Sequence, residues 1–214
     1  MVDAGQTKSR AQIRAEVLEL CTNYLNQREE LAVIIDEPNY SVRQATLNSS
    51  PLVVTKMHAD GLTAEHLAPL LKEPPQVAAA MNPKMRQTRL ADQEGYATHH
   101  FFVETPTIAI YNRCMFVTYY ISTDEASGTI TILGTSAGNA GLEQEHADLV
   151  GSDVVGEVIS LMLLKPFAQG FDIEQVSYFD PKGWIPGFAQ QLGVSKQAEV
   201  VRQTVNYLIT GTIP

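Results

Sequence analysis

Between Met85 and Phe179 the hydrophobic pattern has a period of two, in segments that follow one another with turns and loops between them. Before and after this block the period is that of a helix. Strand segments are expected over Met85–Leu90, Ala97–Val103, Thr107–Tyr111, Cys114–Ser122, Thr129–Gly134, Val154–Leu164 and Phe171–Phe179, with Gly95, Pro106, Gly128 and Gly170 as punctuation. Strands grouped in this way pair antiparallel, so the chain is expected to be α+β and not a doubly wound parallel fold.

The flanks complete the order of elements. Ile13, Val17, Leu20, Tyr24 and Leu25 recur at three- and four-residue spacing, with Thr7 or Ser9 as cap. Residues 31–50 read as irregular, with a short strand near Ser41–Leu47. A strand over Leu52–Met57 precedes a helix that Thr63 caps and that Pro74-Pro75 stops, and an Ala-rich turn follows over Gln76–Met81. Residues 135–150 read as a Gly-rich loop with one short turn of helix. After Gly183 the helical period returns, with Phe188, Leu192, Val200, Val201, Thr204, Val205, Leu208 and Ile209 on one face. Residues 1–50 are expected to supply a first helix and strand to the same single domain whose core is 51–214.

Charge and composition exclude some roles. The 214 residues carry 15 Lys and Arg against 24 Asp and Glu, a net charge of −9, and the basic residues are scattered. Phosphate backbones need clustered Lys and Arg, so nucleic acid is an unfavourable partner. The N-terminal MVDAGQTKSR has no apolar core, and no apolar run approaches the ~20 residues that cross a bilayer. A cytoplasmic protein is expected. Cys21 and Cys114 fall in apolar patterns and read as buried thiols of a reducing compartment.

Catalytic patterns are weak. Gly134-Thr135-Ser136-Ala137-Gly138 matches a nucleophile elbow, but the only later histidine is His146 and no Asp lies between. His99 and His100 are adjacent on a strand and point to opposite faces, so they cannot hold one ion together; Glu143, Glu145 and His146 lack a second ligand pair. No dinucleotide fingerprint follows a strand. Neither metal nor cofactor is expected. One residue does stand out. Arg113 sits in an otherwise apolar strand, where a charge must be paired or face a wet cavity. Alternation puts Arg113, Met115, Val117 and Tyr119 on one face, and Thr98, His100 and Phe102 together on a face of the neighbouring strand.

The segment Tyr178-Phe179-Asp180-Pro181-Lys182-Gly183-Trp184-Ile185-Pro186-Gly187-Phe188 resembles the signature of the StAR-related lipid-transfer (START) domain family. Asn112-Arg113-Cys114-Met115-Phe116-Val117 is similar to that family's Arg-Asp-aromatic-Val strand, with Cys114 in place of Asp. Met81-Asn82-Pro83 is similar to its Trp-Asn motif, with Met81 in place of Trp. The resemblance covers about residues 50–210. It implies a helix-grip fold, in which a curved antiparallel sheet wraps around the C-terminal helix and encloses one lipid, sterol or phospholipid. It also implies lipid transport without catalysis, by a monomer with a lipid ligand and transient membrane contact.

By the same resemblance Arg113 would meet the lipid's polar end. Its usual acidic partner falls at Gln87, which can accept a hydrogen bond but cannot neutralise the charge. Phe102, His100, Met115, Val117, Tyr119, Val201, Val205 and Leu208 are the other expected ligand contacts, with Val158, Ser160, Met162 and Val176 in the lining. Trp184, Ile185 and Phe188 are expected at a lid that meets the membrane, with Lys165, Lys182 and Lys196 as basic docking candidates. On this reading Arg113→Leu would preserve folding and change lipid selection. Two rivals keep the fold: a lipid-responsive sensor that acts through a protein partner, and a helix-grip cyclase or hydrolase that uses His100 or the Arg113 pocket.

Overall fold

The structure is a computed structural model. It describes residues 8–105, 111–183, 185 and 187–212, with 187–192 described by backbone alone. In chain order the elements are α1 (Arg10–Asn26), a 3-10 turn (Arg28–Glu30), β1 (Ala32–Glu37), β2 (Tyr40–Leu47), β3 (Ser50–Asp60), α2 (Ala64–Lys72), α3 (Pro74–Met81), β4 (Met85–Gln93) and β5 (Tyr96–Val103). They continue with β6 (Arg113–Thr123), β7 (Ile130–Thr135), the short α4 (Leu142–Glu145) and α5 (Ala147–Val150), β8 (Val154–Val155), β9 (Glu157–Phe167), β10 (Gly170–Asp180) and α6 (Gly187–Thr210).

One sheet holds all ten strands. Its order is β1-β2-β3-β10-β9-β7-β6-β5-β4, antiparallel throughout, and the two-residue β8 pairs parallel with the start of β6. The sheet is open, with β1 and β4 at its edges. A register shift between Val33 and Ile35 marks a bulge in β1.

Side-chain alternation gives this sheet two apolar faces. On the concave face Tyr40, Val42, Val53, Ile132, Met162, Leu164, Phe171 and Ile173 pack with Leu67, Leu70 and Val77 of α2 and α3 and with Ala198, Val201 and Val205 of α6. On the convex face Leu52, Val54, Tyr120, Leu133, Leu161, Val176 and Tyr178 pack with Val17 and Cys21 of α1. Residues one apart on a strand therefore belong to different cores. Val176, expected in the lining, belongs to the convex core.

The helices cover the two faces differently. Ser9 caps α1 in a reciprocal box with Gln12. Buried polar bonds then fix α1 to the sheet: Arg10 Nη1 donates to Asn139 Oδ1 at 2.6 Å and to Thr118 Oγ1 at 3.3 Å, and Asn139 Nδ2 donates to the Phe116 carbonyl at 2.7 Å. The second half of α6 is held as firmly. Tyr40 donates its hydroxyl to the Ala198 carbonyl, and Arg202 lies 4.0 Å over the Tyr40 ring while it pairs with Glu37 at 2.7 Å. Burial in this joint pushes the Tyr40 phenol up to about 12.

Several expectations change. α2 ends at Lys72, before Pro74-Pro75 as expected, but the same prolines open α3, so the expected Ala-rich turn Gln76–Met81 is helical; a proline in the first turn lacks only an N–H that the helix does not use. The region 31–50 holds a full hairpin, β1 and β2, whose first strand has an exposed burial pattern that alternation cannot reveal. Of the expected strand Thr107–Tyr111, residues 107–110 lie outside the described residues, and Tyr111 stands outside the strands at 69% exposure. The G-x-S-x-G serine is structural: Ser136 Oγ accepts from the Val158 N–H at 2.9 Å and lies 3.2 Å from the Val158 carbonyl. Both cysteines are free and buried, and burial pushes the Cys21 thiol up to about 12 and that of Cys114 to about 11.

Arg10→Ala removes the charged donor that joins α1 to Asn139. It is expected to lower stability by about 2 kcal/mol, read as an earlier urea midpoint at unchanged slope.

Candidate functional site

The concave face toward the β4 edge carries a third apolar cluster. Phe101, Met115 and Val117 form it, with Met85, Val103, Tyr119, Val158 and Phe179 at its margin. Register explains the grouping. Phe101 pairs with Gln87 on one side and Met115 on the other, His99 pairs with Val117, and Val103 pairs with Arg113. Tyr119 belongs to this cluster and also touches the one under α6. It pairs with Gly134, and its ring lies across that glycine: a Cβ on 134 would come 2.8 Å from a ring carbon. Burial pushes the Tyr119 phenol well above its usual range, and its hydroxyl has no hydrogen-bond partner among the described residues.

A polar cluster adjoins this patch. His99 is only 1% exposed. Its Nδ1 lies 3.0 Å from Gln87 Oε1, and its Nε2 lies 3.2 Å from Glu73 Oε1, from the joint between α2 and α3. Arg89 reaches Glu73 Oε2 at 3.3 Å and Asp92 at 2.8 Å. Tyr119 stands edge-on to the His99 ring at 6.0 Å, and Phe101 is tilted at 6.5 Å. Burial holds His99 below its usual titration range, with Glu73 pulling the other way.

Arg113 is 4% exposed, on the face that alternation assigns, but its guanidinium has a different partner from the expected one. Nε donates to the Pro181 carbonyl at 2.6 Å, Nη2 to the Lys182 carbonyl at 3.1 Å, and Nη1 to the Tyr111 carbonyl. The arginine thus clamps the turn after β10, in which Lys182 and Gly183 have φ of 50° and 67° and Asp180 Oδ1 accepts from the Lys182 N–H at 2.9 Å. The Arg113–Gln87 pair is not made. Expectation and structure differ because a strand-end arginine lies within reach of main-chain acceptors that no side-chain pattern displays.

The other expected contacts divide. Gln87, Met115, Val117 and Tyr119 face the concave side. Val201 and Val205 face it from α6, packed into the sheet with Leu208 beside them. His100 and Phe102 do not belong with them. They pair with Phe116 and Cys114 and lie on the convex side, where His100 packs 5.1 Å from the Phe116 ring and Phe102 lies beneath Arg86. Thr98, His100 and Phe102 share one face, as alternation predicts, but that face is the convex one, and the neighbours His99 and Phe101 hold the concave positions. The register of β5 against Arg113's strand would have found them. At the expected lid, Ile185 is half-buried; Trp184 and the side chain of Phe188 lie outside the described residues. Lys182 pairs with Asp180 at 2.8 Å and Glu157 at 3.2 Å, and Lys165 pairs with Glu174, so neither is an unpaired basic group.

No protein-family model matches the sequence, and no curated protein matches it. Solved structures do. Human StAR-related lipid transfer protein 5 superimposes with a TM-score of 0.71 at 12% identity, over 94% of this chain and 96% of that one. Human STARD10 gives 0.69 at 11% identity, over 98% and 82%. A STAR-related lipid transfer protein fragment from Xanthomonas axonopodis gives 0.62 at 16% identity, over 85% and 97%. The chain has the helix-grip fold of START domains. Among the described residues no helix is long and apolar enough to cross a membrane, and no group of His, Cys, Asp and Glu is arranged to hold a metal.

Two outcomes test this geometry. Arg113→Leu leaves buried carbonyls without a donor, so it is expected to destabilise the fold by about 3 kcal/mol and to loosen residues 180–183 in hydrogen exchange. His99 and His100 are both held neutral by burial, so the unfolded chain binds more protons as pH falls below about 6.5. Stability measured by denaturant titration is expected to fall from pH 7 to pH 5, and less so in a His99→Gln/His100→Gln variant. The half-buried His58, bonded to Asp172 and raised by it, has the opposite slope, and the variant should unmask it.

Proposed function

We propose that this chain encloses one lipid, sterol or phospholipid, between the concave face and α6, and carries it between membranes through the cytoplasm as a monomer, breaking no bond. The observation that carries the reading is the Phe101–Met115–Val117 patch. It is apolar and concave, separate from the core beneath α6, and sits in a fold shared with proteins named for lipid transfer.

The energetics favour enclosure. A lipid that leaves a bilayer exposes its chain at roughly 0.8 kcal/mol per methylene, about 13 kcal/mol for ~16 methylenes. A dry apolar wall offers nearly the bilayer's environment, so the exchange between bilayer and protein is close to balanced while the exposed state is bypassed. The tail would lie along Phe101, Met115, Val117 and Val158. The polar end would meet the free Tyr119 hydroxyl and the Gln87–His99–Glu73 cluster. In this proposal Arg113 supports the site by fixing the 180–183 turn at the entry to α6 rather than by touching the lipid.

The entrance follows from what is anchored. The half of α6 from Ala198 onward is held by Tyr40, Val201, Arg202 and Val205. In this proposal the lid and the membrane contact are assigned, by the resemblance, to Trp184, Ile185 and Phe188.

Purified protein is expected to release a stoichiometric lipid on extraction and to accelerate exchange of a fluorescent sterol or phosphatidylcholine between vesicles, saturably. Val117 is 2% exposed, so Val117→Trp overpacks the patch; it should abolish both, at a cost of about 1–3 kcal/mol in stability that a urea titration reads separately. Binding with no exchange would favour the sensor. Neither lipid nor exchange would overturn the proposal.

A further inference from the structure

One transverse row of the concave floor consists of uncharged polar residues. Pairing sets it: Tyr119 of β6 lies opposite Gly134 of β7, Gly134 opposite Ser160 of β9, and Ser160 opposite Ser177 of β10. Toward α6 the next row is Ile132, Met162 and Gln175, and on the other side Val117, Val158 and Phe179 lead to the Phe101 patch. Side chains directly opposite on adjacent strands have Cβ atoms about 5 Å apart, so one ligand atom is within reach of both serine hydroxyls. Tyr119 approaches them from β6. Its ring crosses Gly134, with Cζ 3.3 Å from where a Cβ would stand, which puts the phenol hydroxyl over β7, the neighbour of β9.

These hydroxyls are open and have capacity to spare. Tyr119, Ser160 and Ser177 are each half-buried, whereas Val53, Met162 and Ile173 around them are buried. The Tyr119 and Ser177 hydroxyls make no hydrogen bond among the described residues, and neither oxygen is sealed from a small molecule. Ser160 Oγ accepts from Gln175 Nε2 at 3.5 Å, so its own O–H is unspent. Burial keeps the Tyr119 phenol protonated and therefore a donor.

Free charge is missing from the same wall. Among the described residues of β5, β6, β7, β9 and β10, the concave positions hold Arg113 and His99 as their only basic side chains, and no carboxylate. Arg113 spends its guanidinium on the Pro181, Lys182 and Tyr111 carbonyls. His99 is held neutral by burial and sits between Gln87 and Glu73, and Glu73 is itself paired with Arg89. A phosphate against this wall would lose its water and find no unpaired cation, which is costly. A hydroxyl or carbonyl oxygen would find several donors at once.

We propose, resting on the carrier reading, that the enclosed lipid is an uncharged alcohol or ketone rather than a phospholipid. Its oxygen sits on the Tyr119–Ser160–Ser177 row, and its hydrocarbon lies along Phe101, Met115 and Val117.

Capture of label from vesicles by the full chain tests this, with dehydroergosterol, which has one hydroxyl and no charge, and pyrene-labelled phosphatidylcholine offered separately. Dehydroergosterol should be captured saturably and at least tenfold more tightly than the phosphatidylcholine. Tyr119→Phe and Ser177→Ala remove hydroxyls that bond to nothing in the protein, so the double variant should unfold at the parent's urea midpoint. It should bind dehydroergosterol about tenfold more weakly, the loss of about one hydrogen bond, and bind the 3-deoxy analogue of that sterol as the parent does. Preferred capture of phosphatidylcholine would overturn the proposal and leave the carrier reading standing, as would dehydroergosterol binding that is equal in the parent and the double variant. Capture of neither label would remove both.

Discussion

A single sheet with apolar side chains on both faces cannot stand alone in water, and this requirement governs the whole molecule. Each face needs a cover. On the convex side α1 supplies one, small and bolted through Arg10 and Asn139. On the concave side the anchored half of α6, with α2 and α3, covers the strands from β2 round to β7. The strands toward β4 carry their own apolar group, joined to the rest through Tyr119. The division of the concave face into a covered part and a separate part is what gives a carrier reading physical content. Packing under α6 explains the first part, and the second is where the carrier reading assigns the ligand.

The polar residues inside this shell divide in the same way. Arg113 and Asn139 are saturated by main-chain and side-chain partners, and they hold turns in place. Tyr119 is half-buried on the concave face, where no hydrogen bond to its hydroxyl is made among the described residues, and Tyr120 is buried on the convex face with its hydroxyl unpartnered. Saturated groups specify the fold. Free ones mark surfaces that a second molecule can satisfy.

The order of elements was legible in the sequence because period-two and period-3.6 stretches do not mix here, and the Asp180-Pro181-Lys182-Gly183 turn marks the entry to α6. Strand phase was harder to read. In β5 the run Thr98-His99-His100-Phe101-Phe102 has the same types of side chain on both faces, so hydrophobicity cannot choose between them. Only pairing with β6 and β4 decides it. The same limit hid the His99–Gln87–Glu73 cluster, since Glu73 arrives from a helix joint that no strand pattern places. Alternation places Arg113 on the concave face, yet its partners are carbonyl groups, which every residue has and no sequence pattern displays. In β1, Val33 and Ile34 are exposed and Asp36 and Glu37 follow, so an edge strand reads as irregular chain.

That edge also bears on the molecule's behaviour in a crowded solution. An open sheet ends in rows of unpaired amide and carbonyl groups, which invite edge-to-edge fibrillar growth. Here one border carries a bulge at Val33–Ile35 followed by two carboxylates, and the other carries Arg86, Arg89 and Asp92. Register defects and charged side chains both frustrate strand addition by another copy. The irregular sequence of β1 therefore keeps an uncapped sheet from templating its own aggregation.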